Sequence, residues 1–377
     1  MFSSLQGFFQ RHRRKILYTG IVLGGGFVLG KIAQWKLNNW YETQQVELLA
    51  QSKKQLHFDG NQKTCAITLY SLLPNLRDAI FELADSQSIT EKLKTKPVDK
   101  LVLWEELKIL SFTRTIASVY ASSLLALFLR VQLNLLGGYM FVDVEATSTV
   151  LNGVGGTSVG AEVARMSDPI QKKYLGIVRY FLDTGVKELV DVIKQVVEEV
   201  LGNVSLKQKL SYHDVQRMLG QIRQCLKLTS HQPVENGNNT IVKISSIVID
   251  QENTLMDKDS FFQQLVNETS DILDSEDFGI VYNACLDVGF SFIMKRLLSS
   301  FIIDQQDTPT DMIWSMEDDI CSMHLPLAKI CPIINGRAEE ILAEEKNNCL
   351  QDMDALECVK DFAANIYEAF SCRPKAG

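Results

Sequence analysis

The stretch that most narrows the fold is "DKLVLWEELKILSFTRTIASVYASSLLALFLRVQLNLLGG", residues 99–138. Asp99 is placed to cap a helix, and Gly137 with Gly138 predict where that helix ends. From Thr115 to Leu129 there is no charged residue, a run of fifteen. Such a run falls short of the ~20 apolar residues that cross a bilayer. Ser118, Ser122 and Ser123 dilute it, and Arg114 and Arg130 bracket it. The expectation is the central helix of a bundle, buried on all sides, rather than a membrane span.

The remainder reads the same way. Only 8 of 377 residues are Pro, 46% are hydrophobic and 22% charged, a composition that favours helices. In "TCAITLYSLLPNLRDAIFELAD" Pro74 predicts a kink or a new start. Ser88 followed by Glu91 has the spacing of a capping box, opening a short helix that Pro97 stops. Residues 175–202 repeat their apolar positions with helical period through Phe181, Leu189, Ile193, Val196 and Val197. A short strand is expected within "TIVKISSIVI", residues 240–249. The fold class is therefore all-α, with loops near 142–166, 229–257 and 304–323.

The N-terminus is different. Ile16 to Gly30 carries no charge, behind the basic tail of residues 1–15 with its "RHRRK". Extended to Trp35, with Tyr18, Trp35 and Trp40 suited to the headgroup region, the segment 16–35 is long enough for a transmembrane anchor. Gly20 with Gly24, and Gly26 with Gly30, form two G-x-x-x-G pairs that allow close helix approach in lipid. A cleaved signal peptide is the rival, but Gly24 to Gly26 followed by Phe27 make a poor cleavage site. Residues 36–377 form the helical body. The first 41 residues hold six Lys/Arg and no acid, so a total of −8 leaves the rest at −14. That balance excludes nucleic-acid binding by the body, which needs a basic face. The eight cysteines form no C-x-x-C pair, which excludes a zinc scaffold and points to reduced thiols in the cytosol.

Two catalytic patterns fail on mechanism. Gly25, Gly30 and Lys31 match the start of a phosphate loop, but Ile32 stands where Ser or Thr must hold magnesium. "GTSVG" resembles a nucleophile elbow around Ser158, yet lies in a glycine-rich stretch without a strand before it. The five histidines do not cluster, and the acid pairs are adjacent residues that diverge on a helix. The chain is not expected to be an enzyme, nor to use a metal, a cofactor or a nucleotide.

One face invites a partner. Lys100, Trp104, Leu107 and Lys108 share one side of the long helix's start. The short helix before it offers Thr90, Leu93 and Lys94, and a turn at Pro97 would fold it back alongside. An indole in an apolar strip edged by lysines suits an amphipathic helix with acidic flanks. The plain alternative is a Trp covering the end of the bundle. A non-catalytic membrane tether, or a lipid-binding helical protein, is the competing class.

Seven stretches narrow the choice: "LGGGFVLGK", "HFDGNQKTC", "LWEELKILSFTR", "LRVQLNLLGGY", "VLGNVSLK", "LPLAKICPIING" and "VKDFAANIYEAF". In this order, from residue 23 to residue 370, the chain resembles the family of peroxisomal biogenesis factor 3, the membrane-anchored peroxins. Residues 150–165 and 305–320 depart from the family's pattern. The resemblance implies a single-pass anchor in the peroxisomal membrane, reached in some cases through the endoplasmic reticulum, and an elongated helical body in the cytosol. It further implies docking of a soluble receptor, peroxisomal biogenesis factor 19, which carries new peroxisomal membrane proteins; those clients are met indirectly. The family's groove takes a helix from that receptor's N-terminal region and centres on a Trp matched here by Trp104. The neighbours carried over are Leu93, Lys94, Lys100, Leu107, Lys108 and Met140.

Overall fold

The computed structural model describes residues 48–95, 98–151, 167–229, 241–251, 254, 256–303, 324–345 and 347–372. The expected anchor with Ile16, Gly20, Gly24, Gly26, Gly30 and Trp35, the phosphate-loop match, Ser158 and the expected loop at 304–323 lie outside these residues. The chain divides into two units, Met1–His57 and Phe58–Gly377. Of the first, residues 48–57 are described; they are helical and expose Leu48, Leu49 and Leu56.

The second unit is built on helices: α1 (58–83), α2 (Ser86–Lys94), α3 (Lys100–Leu151), α4 (Asp168–Leu175), α5 (Val186–Leu201), α6 (Tyr212–Cys225), α7 (Ser260–Leu273), α8 (Glu276–Ile303), α9 (Leu327–Ile341), α10 (Asn348–Ala355) and α11 (Glu357–Ser371). Two short ribbons and a few isolated helical turns accompany them. β1 (Lys209–Ser211) pairs antiparallel with β4 (His324–Pro326), and β2 (Lys227–Thr229) pairs parallel with β3 (Ile241–Lys243). The strand expected at 240–249 is thus three residues long, followed at once by a helical turn, Ile244–Val248.

α3 is the axis of the unit, packed against α2, α5, α7, α8, α9 and α11. Every residue from Leu107 to Gly138 is buried. By length and hydropathy this helix has what is needed to cross a membrane, as does α8, but its most apolar window is wholly enclosed by the protein itself. The polar residues that dilute it are bonded within that interior. Ser111 and Ser118 donate to carbonyls four residues back, and the Thr115 hydroxyl reaches the Ile334 carbonyl at 2.7 Å. Arg130 meets Asp354 at 2.6 Å. Each apolar side chain buried here contributes roughly 1.5–3 kcal/mol, and the hydroxyls cost little because their hydrogen bonds are made.

The structure corrects three local expectations. α3 does not stop at Gly137 and Gly138 but continues to Leu151, taking in the first part of the loop expected at 142–166. Those glycines let neighbours close in: a Cβ on Gly138 would stand 2.7 Å from Phe370 Cβ on α11, and one on Gly137 3.0 Å from the Asn61 amide nitrogen on α1. Helix α1 continues through Pro74, so no new helix starts there. The predicted helix at 175–202 carries a π-helical turn, Phe181–Gly185, before α5. Gly185 there lies so close to the Ile247 carbonyl that any side chain would collide with it.

Candidate functional site

The first turns of α3 and the short helix α2 make a two-helix platform. Asp85, not Ser88, caps α2: its carboxylate accepts the backbone N–H groups of Gln87 at 3.2 Å and Ser88 at 3.0 Å. Ser88 lies inside the first turn and donates its hydroxyl to the same carboxylate. These hydrogen bonds, the Ser88 hydroxyl first, hold the Asp85 carboxyl below the usual aspartate range. The spacing Ser88 to Glu91 thus imitates a capping box one turn too late.

Arg114, buried on α3, ties α2 in place. Its Nη1 donates to Ser86 Oγ at 2.7 Å, and Ser86 donates in turn to Asn335 Oδ1 on α9 at 3.0 Å. The guanidinium lies 3.2 Å from the centre of the Phe81 ring, a cation–π contact. Loss of solvent lowers the Arg114 pKa from its ordinary value. Below this clamp, Ala84, Ile89, Leu107 and Leu110 form a small core of their own, with Leu93, Leu103 and Trp104 packed on it half-buried. The short helix does fold back on α3, as the turn near Pro97 suggested.

The residues singled out from the sequence divide into three groups. Thr90, Lys94 and Lys100 are exposed, and Leu93 and Trp104 are half-buried around them. Leu107 is buried and supports the indole from beneath. Lys108 is a correction: it is 1% exposed, and its ammonium donates to the Val204 carbonyl at 2.9 Å and the Gly202 carbonyl at 3.5 Å, and pairs with Glu105. From Leu107 to Gly138 α3 is enclosed on every side, so a residue there in phase with Trp104 points into protein. Lys108 serves the C-terminal end of α5, where a cation suits the helix dipole. Met140 is also corrected. It lies on the same continuous helix, 36 residues beyond Trp104, which at 1.5 Å per residue is about 54 Å away.

In their place the structure brings forward Val98, Leu101 and Val102, which are 100%, 70% and 65% exposed. Leu101 and Val102 lie in the first turn of α3, whereas Val98 precedes the helix. Leu101, three residues before Trp104, shares its side of the helix, while Val102, two residues before it, faces away. Single exposed apolar residues mean little; Leu101 stands out because it flanks a half-buried indole on a fixed two-helix platform. Lys92 and Lys94 stand in the last turn of α2, and Glu91 and Glu106 are exposed nearby, so the rim carries both signs. Among the described residues no group of His, Cys, Asp and Glu is arranged to hold a metal.

Comparison with known proteins agrees over the length of the chain. A family model described as Peroxin-3 matches residues 7–100 and 94–369. Peroxisomal biogenesis factor 3 of Bos taurus is 39% identical over 379 residues, covering 98% of both chains. Its counterpart in Homo sapiens is 38% identical over 379 residues with the same coverage. Peroxisome biogenesis protein 3-1 of Arabidopsis thaliana is 27% identical over 380 residues, covering 96% of this chain and 98% of that protein.

Proposed function

We propose a docking function for this chain, which belongs to the Peroxin-3 family and whose role is in peroxisome biogenesis. The body is a membrane receptor that binds an amphipathic helix of the soluble import receptor, peroxisomal biogenesis factor 19, so that new peroxisomal membrane proteins are delivered and inserted. The helix lies across α2 and the first two turns of α3, with its apolar face on Trp104, Leu93 and Leu101. Acidic residues on its flanks meet Lys92, Lys94 and Lys100. Residues 16–35 hold the chain in the peroxisomal membrane by a single pass, with the body in the cytosol. The seven described cysteines, all free thiols, support a reducing compartment.

The observation that carries this reading is a half-buried indole flanked by exposed Leu101 and half-buried Leu93, on a platform fixed from behind by Arg114 and Ser86. Helix-in-groove recognition needs such a preformed apolar seat. Titrating the full chain in detergent with the N-terminal helix of peroxisomal biogenesis factor 19 tests it. Trp104→Ala is expected to cost at least ~2 kcal/mol, roughly thirtyfold in affinity, with circular dichroism unchanged. Equal binding by the variant removes the patch from the mechanism.

A further inference from the structure

A second surface, remote in sequence from the Trp104 platform, has the opposite electrostatic character. A groove of about 620 Å³ runs between the end of α7, the start of α8 and the outer face of α11. Ile272, Ile280, Phe362 and Ile366 give it an apolar lining, and Ile280 is 59% exposed. Along α11 the lining residues run from Cys358 to Phe370, twelve residues and so about 18 Å, room for roughly three turns of a docked helix.

The charge around it has one sign. Asp271, Asp277 and Asp361 line the groove, all exposed, and no Lys or Arg does. None of the three carboxylates makes an ion pair or accepts a hydrogen bond among the described residues. Local stability accounts for only one of them. Asp277 lies in the first turn of α8, where a carboxylate suits the helix dipole. Asp271 lies in the last turn of α7, where it opposes the dipole. Carboxylates kept on an exposed apolar groove at such a position suit a partner more than the fold.

We infer that this groove is a docking site for a cationic amphipathic helix of a partner protein. Apolar anchors spaced i, i+3 or i+4, and i+7 fill the floor, while Lys or Arg on the two flanks face Asp271 and Asp277 on one side and Asp361 on the other. The site is separate from the Trp104 platform and does not depend on the function proposed for it.

The test uses the full chain in a non-ionic detergent and a fluorescein-labelled designed helix of about fifteen residues, with leucines on one face and lysines on the flanks. A control helix keeps the leucines and replaces every lysine with glutamate. The lysine helix is expected to bind, with affinity falling as salt rises, and the glutamate helix to bind at least tenfold more weakly. Replacing the three exposed carboxylates together (Asp271→Asn, Asp277→Asn, Asp361→Asn) is expected to lose at least tenfold and to abolish the salt dependence. Ile280→Arg is expected to lose binding as well, while Trp104→Ala leaves it unchanged. Equal binding of the two helices, or full binding by the triple variant, overturns the inference. So does a dimer of the wild-type chain that Ile280→Arg dissociates, since a second copy is then the occupant.

Discussion

The two parts of α3 follow opposite rules. Between Leu107 and Gly138 it buries serines, threonines, two arginines and an asparagine. In its first turns it leaves Leu101 and Val102 in solvent. Most of these buried polar groups find a partner, a carbonyl for Ser111, Thr115 and Ser118 and a carboxylate for Arg130, with the Thr113 hydroxyl an exception. The exposed apolar groups have no such compensation in the isolated chain. Hydropathy alone does not separate the two parts: the most apolar segment is enclosed scaffold, while the opening turns that carry Glu105 and Glu106 leave Leu101 and Val102 at the surface.

This contrast can be broken or sharpened by substitution. The largest effect is expected in the scaffold. Phe112, fully buried, is expected to cost ~3–5 kcal/mol on truncation to Ala, measured by denaturant unfolding of the full chain in detergent; a loss below 1 kcal/mol contradicts its place in the core. Lys108→Ala leaves the Gly202 and Val204 carbonyls without their donor and is expected to cost ~1–3 kcal/mol. Its decisive readout is docking: if Lys108 is scaffold, affinity for the receptor helix stays unchanged in protein that remains folded. If Lys108 instead belongs to the surface, affinity falls with little change in stability. Asp85→Ala, which removes the cap of α2, is expected to cost about 1 kcal/mol and to weaken docking by loosening Leu93.

Asp85 also gives the smallest expected effect, a dependence on pH. Its folded pKa lies below the unfolded value, so its contribution is fully present above the ordinary aspartate range and is lost as pH falls through the depressed folded value. Acid titration followed by hydrogen exchange at Gln87 and Ser88 reads it directly, and Asp85→Asn is expected to flatten that profile. Among the described residues the Asp85 carboxylate bonds only groups in the first turn of α2, so the change is local rather than a global transition.

Much of this was legible in the sequence, for identifiable reasons. The uncharged run at 115–129, diluted by hydroxyls, marked a buried soluble helix, because a lipid-facing helix has no neighbours to satisfy Thr115 or Arg130. The apolar period through α5 marked its inner face. What stayed hidden were contacts made by residues distant in sequence. Gly137 and Gly138 carry the same letters whether they end a helix or admit Phe370 and Asn61, and only the partners decide. Helical phase put Lys108 beneath Trp104 correctly but says nothing of where the bundle closes over the helix. Met140 came with the family resemblance, and the unbroken helix carries it far from Trp104. The exposure of Leu101 and Val102 is not legible in sequence, because apolar residues at the start of a core helix resemble core.

The central claim is that docking occurs on α2 and the opening turns of α3. Amide hydrogen exchange of the full chain in detergent, with and without the N-terminal helix of peroxisomal biogenesis factor 19, tests it most directly. The account predicts added protection confined to residues 86–95 and 98–106, with the buried span 107–138 unchanged and the groove along α11 unaffected. Protection that appears along α11 or around Met140, and not around Trp104, contradicts it.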